Sequence, residues 1–207
     1  MLRVSSDAGI AIGPLLFIIA ILGILAAAIT AGSGSFVSGT TGERNRTLAS
    51  AAIEVGQNLK VGMDRVVGGG TDPASVVINP VNTSNAVDLF APAGGGVTAP
   101  ATTMANQTSD VWYYPLGDFK NMGTTNTERL AVIKVGSGVC DEVNLRVNGL
   151  ATTPAVNDVG DFTAATVASG NINTNWPSQL AGKPTGCVNN NNTTAAGYWF
   201  YQVLAIR

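Results

Sequence analysis

The 207-residue sequence contains no histidine, and charged residues make up only 12% of it. The commonest general base and metal ligand of enzymes is therefore absent. GxSxG, HExxH and GxxxxGKS are absent as well, so no familiar nucleophile, zinc or phosphate-loop site is on offer. A net charge of −2 gives no electrostatic case for binding nucleic acid. Only two cysteines occur, Cys140 and Cys187, with no CxxC or CxxCH pairing. That excludes the usual metal, haem and dithiol signatures. The chain is not read as an enzyme, and no cofactor is expected.

What the chain does have is one long apolar run. "IAIGPLLFIIAILGILAAAI", residues 10–29, holds no charged side chain. Twenty helical residues rise about 30 Å, the hydrocarbon thickness of a bilayer. From the residues alone two readings stay open: an anchor that is kept, or a secretion signal removed near the small-residue stretch "AAAITAGSG". Pro14 lacks an N–H and fits the first helical position. A helix is expected from there, which leaves residues 1–13 as a separate arm or leader.

Residues 30–42, "TAGSGSFVSGTTG", read as a linker or a melted stretch of helix. Helical periodicity then returns: Leu48, Ala52, Val55, Leu59, Met63 and Val66 form one apolar stripe, with Glu54, Gln57, Asp64 and Arg65 away from it. Val61 falls on the otherwise polar face, and Ile53 at its edge. Gly68–Gly70 and the Asp72–Pro73 pair end the segment.

Here a resemblance enters. "FIIAILGILAAAI" resembles the start of the long helix of type IV pilins and pseudopilins, which typically reads like "IVIAIIGILAAIA". Aligning Gly23 with the glycine of that run implies prepilin-peptidase cleavage between Gly9 and Ile10, after a leader "MLRVSSDAG". The Glu that most such pilins carry five residues into the mature chain falls on Pro14, so the charge pairing it makes at the subunit N-terminus has no counterpart here. The resemblance implies a stem helix over 14–67, its half 14–29 serving as membrane and then filament core, with Pro14, Phe17, Ile21, Gly23 and Leu25 in the assembly core. The implied partners are further copies of the chain, the inner membrane before assembly, and a pilus-type assembly machinery.

Residues 71–207 are expected to form the head. "RLAVIKV", 129–135, alternates Ala131, Ile133 and Val135 against Leu130, Val132 and Lys134, as a strand does. "DVWYYP" reads as a strand stopped by Pro115. "SGVCDEVNLRVNGL" reads as a short helix with Ser137 as N-cap, Gly149 as stop, and Cys140, Val143 and Val147 on one face. Residues 151–192 are polar loop, interrupted by "FTAATVAS". "GYWFYQVLAIR" is apolar in both alternating sets, which fits a central strand covered on both faces. One face is expected on the stem helix and the other on loops stapled by a Cys140–Cys187 disulfide. A C-terminal region closed in this way also resembles pilin heads.

The expected class is thus α+β: a long N-terminal helix, hydrophobic half then amphipathic half, packed on a small antiparallel sheet. Asp158 and Asp161 in "NDVGDF" are the one calcium candidate, set against an ordinary turn. Asn-x-Ser/Thr sequons begin at Asn45, Asn82, Asn106, Asn191 and Asn192. The expected function is structural, a subunit of an extracellular filament anchored in the membrane as a precursor. The alternatives are a single-pass membrane-anchored binding protein and a minor pseudopilin of a secretion system.

Overall fold

The computed structural model describes residues 12–78, 86–100, 111–122, 128–156, 172–191 and 196–206. The chain divides into two compact units, Met1–Arg44 and Asn45–Arg207. Helix α1, Ile12–Gly68, contributes to both. It begins two residues before Pro14, which therefore sits in the first turn, where an N–H has no intrahelical acceptor to lose. The backbone of 30–42 lies within α1 and is helical. Each glycine there weakens the helix by only about 1 kcal/mol relative to Ala, and no proline interrupts. At the other end Gly70 takes φ 94°, and Asp72 Oδ1 accepts from Ala74 N at 2.8 Å to start a short 3-10 turn, Pro73–Ser75.

The second unit is an α+β fold. Among the described residues its strands are β1 (Leu116–Lys120), β2 (Glu128–Val135), β3 (Ala155–Val156), β4 (Ile172–Asn175), β5 (Thr185–Asn190) and β6 (Gly197–Ile206). They run in the order β3-β5-β6-β2-β1-β4. The expected antiparallel sheet is mixed instead. β5–β6, β6–β2 and β2–β1 pair antiparallel, whereas the outer strands β3 and β4 pair parallel with β5 and β1. Helix α2, Ser137–Asn148, follows β2 through Gly136.

Two cores lie on the two faces of this sheet. On one, Ala49, Ala52, Leu59, Met63 and Val66 of α1 share a cluster with Ile133, Phe200 and Leu204, and α2 adds Val139, Cys140 and Val143. The α1 stripe is rotated slightly from the sequence reading. Ala49 and Gly56 lie on the buried line, while Leu48 and Val55 are only half-buried. The cause is close approach: a Cβ at Gly56 would lie 3.1 Å from both Phe200 Cζ and Gln202 Cβ. On the other face Phe119, Leu130, Val132, Trp176, Leu180, Val188, Trp199 and Tyr201 form the second cluster. Trp176 stacks edge-on against Phe119 (5.6 Å) and Tyr201 (4.8 Å). β6 accordingly sends Phe200 and Leu204 into one core and Trp199, Tyr201 and Val203 into the other.

Local differences from the sequence reading have physical causes. Tyr113 makes an isolated bridge to Val132, and Pro115 interrupts the ladder for want of an N–H, so the strand proper starts at Leu116. Ser137 is the first residue of α2 and Gly136 its cap, with no side-chain capping bond. Gly149 ends the helix at φ 68°, with its own N–H turned back to Leu145 O and the Leu150 N–H to Asn144 O. Val147 is exposed and Asn144 is buried in its place on the inner face.

The loop after Val87 folds tightly on α1. Asp88 O accepts from Gly95 N at 3.0 Å, and Arg65 Nη1 donates to Gly95 O at 3.0 Å. A Cβ at Gly95 would stand 2.2 Å from Leu89 O, a backbone atom with no room to yield. Gly95→Ala is therefore expected to destabilise the second unit by about 3 kcal/mol, the upper range for overpacking. Gly68→Ala, where nothing lies within 4 Å, is expected to leave it within about 0.5 kcal/mol. Urea unfolding of the two variants checks the contrast.

Candidate assembly surface

Within the first unit, residues 17–24 form a helical stretch without a polar side chain. In α1 Phe17 is 67% exposed, Ile18 56%, Ile19 57%, Ile21 41%, Leu22 59% and Ile24 70%. Successive residues turn about 100° around the axis, so these six point in nearly every direction. The one side without a large side chain is that of Ala20 and Gly23, and a Cβ at Gly23 would meet nothing within 4 Å. An amphipathic helix hides such residues on one stripe; this one has no stripe to hide. Fully burying one such side chain is worth about 1.5–3 kcal/mol, so six of them offer on the order of 10 kcal/mol to whatever covers them.

Of the residues expected in the assembly core, Phe17, Ile21 and Gly23 lie in this exposed stretch. The backbones of Pro14 and Leu25 belong to α1, and their side chains lie outside the described residues, as do Gly9 and Ile10 entirely. Among the described residues no helix is long and apolar enough to cross a membrane. The transmembrane helix expected over 10–29 is thus not found there: described side chains cover only Phe17–Ile24 of the run, well short of the roughly 20 residues that a span needs.

Family models, curated proteins and solved structures give no match to this chain.

The second unit contains the disulfide. Cys140 of α2 and Cys187 of β5 are bonded, with Cα atoms 5.2 Å apart and both residues fully buried. The bond lies in the core that α1 shares, so it ties α2 to the sheet; the opposite face is closed by Trp176 and Leu180. Asn144 reinforces the same junction: its Nδ2 donates to Cys187 O and its Oδ1 accepts from Cys187 N, both at 2.9 Å. Nothing in the composition points to this asparagine. Its signal is positional, four residues past Cys140 and so on the same helical face. A surface clasp joins α2 to α1: Arg146 Nε donates to Glu142 Oε1 at 3.0 Å, Arg46 lies 3.6 Å from the same oxygen, and Arg146 also donates to Ser50 Oγ.

Asp158 and Asp161 lie outside the described residues, among which no group of three or more metal-ligating side chains occurs. Asn45 lies in α1, half-buried, and a Cβ at Gly138 would stand 2.2 Å from its Nδ2. Asn191 is exposed just past β5, and Asn82, Asn106 and Asn192 are outside the described residues. Buried Arg129 spreads its guanidinium over two carbonyls, Tyr114 O (3.3 Å) and Ala74 O (3.1 Å), and burial lowers its pKa.

Tyr201 is fully buried beside Trp176, and its hydroxyl donates to Lys183 O at 3.3 Å. Burial raises the phenol pKa well above its ordinary value, against a smaller lowering by the hydrogen bond from Trp176. A pKa raised on folding means that the protonated form is preferred in the folded state. The associated stability is complete below the unfolded phenol's pKa of about 10 and is lost as pH rises from there toward the folded value. Thermal melts are expected to hold level to about pH 9 and fall beyond it, with a shallower fall in Tyr201→Phe.

Proposed function

We propose that this chain is a non-enzymatic structural subunit of an extracellular filament of the type IV pilin-like kind, built by burying the α1 segment around Phe17–Ile24 among the same segments of other copies. The observation that carries the reading is the exposure of six large apolar side chains around that segment on every side but that of Ala20 and Gly23. The second unit, with cores on both faces of its sheet, has no need of those residues for its own folding. A segment of this kind is stable in lipid or against other apolar helices and unfavourable in water. Before assembly the apolar run 10–29 would hold the chain in the inner membrane, and a pilus-type machinery would move it into the polymer. Relative to lipid the gain on assembly is small, which is why a driven step belongs to this reading. The low-charge second unit would form the outer shell, with copies related by open, head-to-tail contacts.

Support for the family rests on the "FIIAILGILAAAI" resemblance, the plan of an apolar half-helix followed by an amphipathic one, and the C-terminal disulfide. Electron microscopy of material sheared from cells, with N-terminal sequencing of the band, tests it. Filaments containing this chain are the expected result, and the sequenced end shows whether Gly9–Ile10 is cut. A chain found only as a monomer in the membrane fraction would replace the filament with an anchored binding protein.

A further inference from the structure

We propose that the ring of contacts around Glu142 is a salt-sensitive stop, which keeps an opening of α1 that starts in its glycine-rich stretch from running into the core. The ring closes on itself. Arg46 Nε of α1 lies 3.6 Å from Glu142 Oε1 of α2, and Arg146 Nε donates to the same oxygen at 3.0 Å. Arg146 Nη1 donates in turn to Ser50 Oγ, and that hydroxyl donates to Arg46 O at 3.0 Å. One turn of α1, 46–50, is thus tied to one turn of α2, 142–146. A turn earlier, Gly138 lets α2 run close against Asn45, where a Cβ would stand 2.2 Å from Asn45 Nδ2. Gly138, Glu142 and Arg146 follow one another at i, i+4 and i+8, so a single line of α2 meets Asn45, Arg46 and Ser50.

The position of the ring along α1 gives it this role. Upstream, residues 30–42 include Gly32, Gly34, Gly39 and Gly42, and only proline is a poorer helix former than glycine. Helical backbone with weak propensity and little packing opens first. Downstream, Ala49 is the first buried α1 residue of the core, followed by Ala52, Leu59, Met63 and Val66. From Glu43 to Leu48 no residue is fully buried, so apolar packing has little to hold there. The ring bridges that gap, and the second unit begins at its edge, with Asn45. Helix formation is cooperative, so a turn held from outside resists the spread of unwinding. The arginine side chains of the ring reach solvent and Glu142 is only partly covered, so dissolved ions screen it. The stop therefore weakens with salt, whereas the apolar core behind it does not. This inference stands whether or not the protein forms a filament.

The test uses the full chain in a non-ionic detergent. Hydrogen exchange is read at the Leu48, Ala49 and Ser50 amides, with the β2 amides as internal reference, at low salt and at about 0.5 M salt. In the wild type the three α1 amides are expected to exchange about threefold faster at high salt, with β2 unchanged. Glu142→Gln, which keeps the size of the side chain and removes its charge, is expected to show the faster rate already at low salt and no further response. Wild-type rates at 48–50 that ignore salt would overturn the proposal. So would a folded Glu142→Gln that keeps the slow wild-type rate, or β2 amides that accelerate in step with those of α1. If near-UV circular dichroism shows the variant unfolded, the wild-type salt series decides.

Discussion

Replacing Leu22 by Asp is expected to reduce the chain recovered in sheared filaments by about 100-fold. The wild-type side chain is 59% exposed on an otherwise apolar segment. A carboxylate in the middle of an apolar helix surrounded by lipid or by other apolar helices costs about 2.5–3.5 kcal/mol, and each 1.4 kcal/mol is a factor of ten. The second unit is expected to keep its melting temperature, because its two cores contain no residue from this segment. Val61→Asp is the matched control. Val61 is 55% exposed on α1 in the second unit, so a charge there remains in water, and the melting temperature is expected to stay within about 2 °C. Quantitative immunoblots of sheared and cell-bound fractions, with melts of both purified variants, separate assembly from folding. Equal recovery of Leu22→Asp and the wild type would remove Phe17–Ile24 from the polymer core.

The parts of this fold legible in the sequence are those where periodicity and burial coincide. β2 and β6 alternate cleanly because each faces a core on both sides, and the two alternating sets of β6 go to different cores. The rotation of the α1 stripe onto Ala49 and Gly56 was not legible: small residues look neutral in a hydrophobic pattern, yet they mark where β6 comes closest. β5 was hidden for a related reason. "TGCVNN" reads as polar loop, but Gly186, Cys187, Val188 and Asn190 are all buried, with part of the polarity supplied to backbone pairing rather than to solvent. Parallel pairing of β3 and β4 depends on chain segments far apart in sequence, and no local pattern encodes it. The apolar surface of Phe17–Ile24 was legible as composition. Its exposure required the structure, because a run of the same purity also suits a buried helix.

Removing the disulfide as Cys140→Ala/Cys187→Ala is expected to lower the melting temperature of the second unit by roughly 10 °C. The bonded residues are 47 apart in sequence, and the chain-entropy account assigns a loop of that length about 4 kcal/mol. For a domain of this size each kcal/mol moves the midpoint by about 2–4 °C. Two opposing effects set the departure from that figure. Both sulfurs are fully buried in the α1 core, so truncation to alanine removes packing as well as the cross-link and deepens the loss. Against this, the Asn144 amide and the Arg46–Glu142–Arg146 clasp still hold α2 in place, so the folded state keeps its geometry. The triple variant with Asn144→Leu separates the contributions: if the amide and the disulfide support one junction, the combined loss differs from the sum of the separate losses, because groups sharing a partner do not act independently. A drop of less than about 2 °C in the double variant would mean that the covalent bond constrains the unfolded chain little and that hydrogen bonding and packing alone keep α2 on β5.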